Sequence, residues 1–200
     1  MTLGAAVSDI VSALGAADLV VGADSTSSDV FRERPRPDVG FFRQISAEGV
    51  LSLRPSLVIA LDEAGPPPAM EQLRAARLEI VRVPTSHTVE SAKDRIRIIA
   101  RALDRSAGGD RLIQEIESDL KKVAVPAKRP SVLFIYARGA GTLLVAGRDT
   151  SAHGMIELAG GRPAVEAFEG YKPLSPEVVL QSAPDVLLLT EGGLASLGGA

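Results

Sequence analysis

The sequence contains no cysteine and no tryptophan, and aromatic residues make up only 4% of its 200 residues. Without cysteine, disulfides, thiolate metal sites and a cysteine nucleophile are excluded. With only two histidines, His87 and His153, a metal site built from several histidines is disfavoured. The few aromatic residues therefore become individual candidates for core or ligand contacts.

Blocks of one charge and long apolar runs are also missing. The net charge is -3 and no basic patch appears, which argues against a nucleic-acid partner. No apolar run is long enough to span a membrane, and no signal peptide is expected, because Met1-Thr2-Leu3 leads directly into a helical pattern with no basic n-region. Hydrophobic residues make up 46% and charged residues 24%, a composition typical of a globular protein with a sizeable core.

Catalytic motifs are absent as well. The sequence has no GxSxG, HExxH or Walker A motif, and no GxGxxG between a strand and a helix. No nucleophile, base and orienting group can be assembled from it. An α/β enzyme is therefore the weakest of the functional hypotheses.

Periodicity predicts alternating helices and strands. Helices are predicted at 5–14, 46–53, 68–78, 151–161 and 176–183, and strands at 19–24, 56–61, 79–84, 131–137 and 185–190. Residues 25–37 are predicted as a polar, proline-rich loop, and 139–147 as a turn followed by a strand. Residues 88–123 are helical in pattern, with a break near 106–109, and 191–200 are predicted as a loop.

The two halves of the sequence resemble each other. GVLSLRPSLVIALDEAG (49–65) and EVVLQSAPDVLLLTEGG (177–193) share one order of features, as do DIVSALG (9–15) and GMIELAG (154–160). The repeat predicts an α/β protein with an N-terminal lobe at 1–86, a helical linker at 87–125 and a C-terminal lobe at 126–200. The alternative is one continuous α/β domain. The second lobe has fewer elements than the first, so we expect it to be truncated.

Residues 41–43 form the first candidate site. Phe41 and Phe42 follow Gly40, and adjacent residues of an extended segment point to opposite sides, so one ring is expected in the core and the other toward the second lobe. Arg43 is then placed to bind a carboxylate through paired hydrogen bonds. Clefts between α/β lobes are common ligand sites.

The other candidates come from single residues. Tyr136, Tyr171 and His153 are each candidates for ligand contact. A core or hydrogen-bonded role explains each tyrosine equally well, and an exposed helix start is the favoured explanation of the histidine from its chemistry alone. His87, before the long helix, is interpreted as a solvated or capping residue.

Several stretches resemble the haem-binding periplasmic proteins of bacterial haem-uptake ABC transporters. They are LGAAVSDIVSALG, VVGADSTS, DVGFFRQISAEGVLSLRPSLVIA, AHGMIELAGG and GYKPLSPEVVLQSAPDVLLL, in the family's order. The resemblance implies two α/β lobes joined by a long helix, the helical-backbone periplasmic binding protein fold. It also implies that haem is the transported ligand.

The resemblance transfers unevenly to individual residues. The family commonly has an iron-ligating tyrosine after VG, but this sequence has Phe41, which has no donor atom. Arg43 matches the family arginine that contacts haem, and His153 falls in the helix where some members carry a histidine ligand to the iron. Phe42 is expected to be apolar cleft wall. The missing tyrosine keeps a second hypothesis open, in which the scaffold binds a ferric siderophore or a cobalamin.

Two glutamates resemble those that related proteins present to the permease. Glu71 and Glu177, one in each lobe, are expected to pair with arginines of an ABC permease. Solvated carboxylates at helix starts are the alternative for each. The resemblance further implies a monomeric, periplasmic, non-enzymatic protein.

Overall fold

A computed structural model describes residues 1–124, 126–137 and 143–199. Its contacts divide the chain into two compact units, Met1–Glu117 and Ser118–Ala200. The predicted division at 86/87 and 125/126 stays a prediction. Among the described residues, no helix combines the length and the apolar character needed to cross a membrane.

The first unit contains three strands and five helices. The strands are β1 (Thr2–Leu3), β2 (Leu57–Leu61) and β3 (Glu79–Val83). The helices are α1 (Ala5–Ala13), α2 (Ala47–Ser52), α3 (Pro67–Ala75), α4 (Val89–Ala102) and α5 (Ser106–Lys122), the last of which crosses into the second unit. The helical segment is divided in two as predicted, but the break lies at 103–105, and residues 106–109, where it was predicted, belong to α5.

The three strands form a parallel sheet in the order β1-β2-β3. Val58 and Ala60 of β2 pack in one core cluster with residues of α2 and α3. Ile59, between them, packs in a second cluster with residues of α1 and α4. The prediction that 56–61 is a strand buried on both faces is confirmed, because alternate side chains enter different helical layers.

The prediction of a strand at 19–24 is wrong. Ala17–Leu19 form a 3-10 turn, and only Ala23 makes strand bridges, to Thr2 and to Asp38. The chain turns directly afterwards, because the Asp24 carboxylate accepts hydrogen bonds from the backbone N–H groups of Gly4 (2.7 Å) and Thr26 (3.1 Å). A short apolar run followed by this turn leaves no room for a longer ladder.

The described residues of the second unit form a mixed sheet and three helices. Its strands are β4 (Ser131–Ala137), β5 (Leu143–Ala146), β6 (Arg162–Pro163), β7 (Tyr171–Pro173) and β8 (Val186–Leu188), and its helices are α6 (Ser151–Leu158), α7 (Pro176–Ser182) and α8 (Glu191–Ser196). β4 pairs in parallel with β6 and β8 and antiparallel with β5, which pairs antiparallel with β7. The turn predicted before β5 lies outside the described residues.

The end of the chain differs from the predicted loop. Residues 191–196 form α8, whose start is capped by Thr190, since its hydroxyl accepts the N–H of Gly193 at 3.1 Å. The strand before it, β8, is exposed at all three of its apolar residues, Val186, Leu187 and Leu188.

The internal repeat has a structural counterpart. α2 leads into β2 as α7 leads into β8, and α1 and α6 end in the same way. Gly15 and Gly160 follow those two helices with φ of 69° and 80°. In both places the residue after the glycine donates its N–H to the carbonyl five residues earlier. Ala16 donates to Val11, and Gly161 donates to Ile156. This is the glycine-dependent ending that the two matching segments predict.

Candidate functional site

The two adjacent phenylalanines that follow Gly40 differ in how deeply they are buried. Gly40 has a φ of 91°, which favours glycine, and its N–H donates to the Asp38 carboxylate at 2.8 Å. Phe42 is 8% exposed and belongs to the first core cluster, whereas Phe41 is 39% exposed. One of the two rings therefore lies in the core and the other at the surface.

Backbone hydrogen bonds fix this segment to the loop that follows β2. The N–H of Gly65 donates to the carbonyl of Phe42, and the N–H of Ile45 donates to the carbonyl of Gly65, both at 2.9 Å. The loop after the central strand β2 is thus hydrogen-bonded to the segment that carries the aromatic pair. Side chains from these two loops consequently share one patch of surface.

Arg43 completes an aromatic and cationic cluster with the two rings. The Phe41 and Phe42 rings meet edge to face with centroids 4.8 Å apart. The Arg43 guanidinium carbon lies 4.8 Å from the centroid of Phe42 and 6.0 Å from that of Phe41, within the range of cation–π attraction. Arg43 also forms an ion pair with Glu63, and both side chains are about half exposed.

Sequence reasoning missed Glu63 as a site residue. It occupies the loop after β2, within the first of the two matching segments, 49–65. With Arg43 and Glu71 it lines a depression of about 400 Å³ at the surface of the first unit. Another depression in this unit, of about 370 Å³, lies against residues 23–38 and contains none of the predicted site residues.

In the second unit the structure brings the two tyrosines together. Tyr136 of β4 and Tyr171 of β7 pack edge to face with ring centroids 6.2 Å apart. They are 38% and 42% exposed. β5 pairs with both strands, and its register places Leu144 beside Tyr136 and Ala146 beside Tyr171. The pair forms an aromatic surface with two hydroxyl groups.

His153 lies in the first turn of α6. Its backbone N–H donates to the Thr150 hydroxyl at 3.2 Å, which caps the helix. The imidazole is 17% exposed, with Nε2 3.8 Å from the Glu157 carboxylate. Nδ1 is buried and has no hydrogen-bond partner among the described residues.

The remaining candidates lie at the surface. Glu177 is exposed in the first turn of α7. Glu71 is exposed beyond the first turn of α3, so the helix-start explanation does not apply to it. His87 is exposed before α4, where Thr88 rather than His87 provides the cap. In the described ranges, no group of three or more His, Asp or Glu side chains is arranged to hold a metal ion.

Comparison with known proteins identifies relatives along almost the whole chain. The model of the periplasmic binding protein family matches residues 1–196. The periplasmic haem-binding protein RhuT from Roseiflexus sp. RS-1, in its apo form, is 38% identical with a TM-score of 0.91. BhuT in complex with two haems is 40% identical with a TM-score of 0.90. Each match covers 99% of this chain and 78% of the other.

Two further relatives extend the comparison. HutB of Vibrio cholerae, also a periplasmic haem-binding protein, is 31% identical with a TM-score of 0.88, over 99% of this chain and 78% of that one. An uncharacterised ABC transporter substrate-binding lipoprotein of Bacillus subtilis (strain 168), YvrC, is 26% identical over 192 residues. That match covers 92% of this chain, which spans about 60% of the length of this curated relative.

Proposed function

Because the chain belongs to the periplasmic binding protein family, we propose that it captures haem in the periplasm and delivers it to an ABC permease. The observation that carries the proposal is its similarity to solved haem-binding proteins, at 31–40% identity over 99% of the chain. The exposed aromatic groups and the arginine described above fit a flat, apolar ligand with carboxylates at its edge. The protein acts as a monomeric carrier and not as an enzyme.

The site residues have distinct roles in this proposal. Phe41 stacks on the porphyrin, with Phe42 as the apolar support beneath it, and Arg43 binds a propionate. Tyr136 and Tyr171, in the second unit, contact the porphyrin. His153 is the ligand of the haem iron. Glu71 and Glu177 pair with arginines of the permease.

The absence of an oxygen donor at Phe41 favours one competing candidate. A ferric siderophore or a cobalamin carries its metal already coordinated, so neither needs a phenolate from the protein. The same exposed aromatic surface suits such bulky ligands. Direct titration distinguishes this alternative from haem binding.

Titration of the purified protein with ferric haem tests the proposal. We expect a shifted Soret band that saturates at a defined stoichiometry, and a changed spectrum in His153→Ala. His87→Ala is the matched control, because it removes the chain's other histidine from an exposed position, and its spectrum should equal that of the wild type. Binding of cobalamin or a ferric siderophore without any haem binding would establish the alternative. An unchanged haem spectrum in His153→Ala would remove the iron-ligand assignment.

A further inference from the structure

The cationic group of the candidate site already has an anionic partner inside the protein. Arg43 pairs with Glu63, and the exposed fractions of the two side chains are 52% and 41%. At this exposure, water screens the attraction, so an ion pair contributes little to stability. A ligand carboxylate can therefore replace Glu63 at the guanidinium without a large energetic penalty.

The position of Glu63 is set by the fold. Two residues further on, Gly65 is bound through its N–H to Phe42 and through its carbonyl to Ile45. The loop that carries Glu63 is thus hydrogen-bonded to one residue before Arg43 and to one residue after it. Meanwhile the guanidinium lies 4.8 Å from the Phe42 ring centroid, so the ring and the carboxylate together define its position.

We propose that Glu63 is a positioning residue that holds Arg43 over Phe42 in the ligand-free protein and competes with the carboxylate of the ligand for it. The inference rests on the proposed function, which makes Arg43 the propionate contact. Exchange of one carboxylate for another leaves the local charge balance of the arginine unchanged. A ligand with a neutral edge does not compete for Arg43 and is not repelled by the Glu63 carboxylate, so its affinity should not depend on Glu63.

Removal of the charge at Glu63 should therefore strengthen the binding of an anionic ligand. In Glu63→Gln the side chain keeps its shape and an acceptor oxygen, but the repulsion between two carboxylates disappears. For charges about 5 Å apart in a solvated setting this repulsion corresponds to about fourfold in affinity. The gain should shrink in high salt, because exposed charges are screened.

Haem titrations of matched variants test the inference. We expect Glu63→Gln to bind ferric haem about fourfold more tightly than the wild type at low salt. Asp62→Asn, a neighbouring carboxylate that lines the same depression, is the control and should change the affinity less than about twofold. Haem dimethyl ester in dilute detergent should bind both Glu63 forms equally. Weaker or unchanged haem binding by Glu63→Gln, an equal gain in Asp62→Asn, or an equal gain with the ester would overturn the inference.

A ligand-free measurement separates this inference from the proposed function. The Arg43 Nε–H resonance in the NMR spectrum of the free protein should move on the Glu63→Gln change and stay in place on Asp62→Asn. If it moves but no variant binds haem, the pairing holds and the haem proposal fails. If it does not move, Glu63 does not position Arg43, whatever the ligand.

Discussion

The rings of Tyr136 and Tyr171 meet edge to face with centroids 6.2 Å apart, although 34 residues lie between them in the sequence. They are the only two tyrosines of the chain, so any tyrosine signal of the protein arises from this pair. This gives the second unit a selective spectroscopic probe.

That probe tests whether the pair contacts the ligand. In protein with isotope-labelled tyrosine, ferric haem should broaden both sets of ring resonances, because its iron is paramagnetic and acts over short distances. Diamagnetic gallium protoporphyrin is the control and should shift the signals without broadening them. Two sharp, unmoved tyrosine signals at saturating haem would place both rings outside the site.

The substitution Phe41→Tyr should restore an oxygen donor at the surface ring. Since Phe41 is exposed, the added hydroxyl is not forced into the core. We expect tighter haem binding and a phenolate-to-iron charge-transfer band in the visible spectrum. Phe168→Tyr, which adds a tyrosine to the second unit, should give neither. Unaltered spectra for Phe41→Tyr would mean that residue 41 lies beyond the reach of the iron.

Truncation of the two phenylalanines should affect stability unequally. Phe42→Ala removes a ring from the first core cluster and should lower the free energy of unfolding by about 3–5 kcal/mol. Phe41→Ala removes an exposed ring and its edge contact, for a loss of about 0.5–1.5 kcal/mol. Urea denaturation followed by circular dichroism measures both values. Equal losses would contradict the difference in burial.

Charge reversal at Glu71 and Glu177 should uncouple the protein from its permease. The double variant with lysine at both positions should bind haem normally but lose its stimulation of ATP hydrolysis by the reconstituted transporter, because two anionic anchors become repulsive. Glu48→Lys is the control, since Glu48 is also an exposed helix glutamate of the first unit. Full stimulation by the double variant would exclude these residues from docking. A parallel haem titration detects any effect of Glu71 on the nearby depression.

The helices and strands that were predicted correctly have sequence signals within or next to the element itself. Ser46 caps α2 by accepting the N–H of Gly49 at 3.2 Å, and the continuous apolar run of β2 fits a strand covered on both faces. α8 was missed because Gly192 and Gly193 disfavour a helix, and its cap at Thr190 is a weak signal by comparison.

Part of the candidate site also follows from a local sequence signal, and part of it does not. Phe41, Phe42 and Arg43 are consecutive, so their association follows from the sequence alone. The approach of Tyr136 to Tyr171 depends on the register of β5, and the Arg43–Glu63 pair depends on how two loops meet. Neither relationship is encoded in a local pattern, and for this reason neither was predicted.

In the proposed haem site, the burial of Phe42 reduces the entropic cost of ligand binding. Its ring is held in the core, and it contacts the exposed ring before it and the guanidinium after it in the sequence. Both of these surface groups therefore lose much of their rotamer freedom during folding, before any ligand arrives. Ordering a flexible side chain on binding costs about 0.5–1.5 kcal/mol, and this preorganised pair avoids part of that cost.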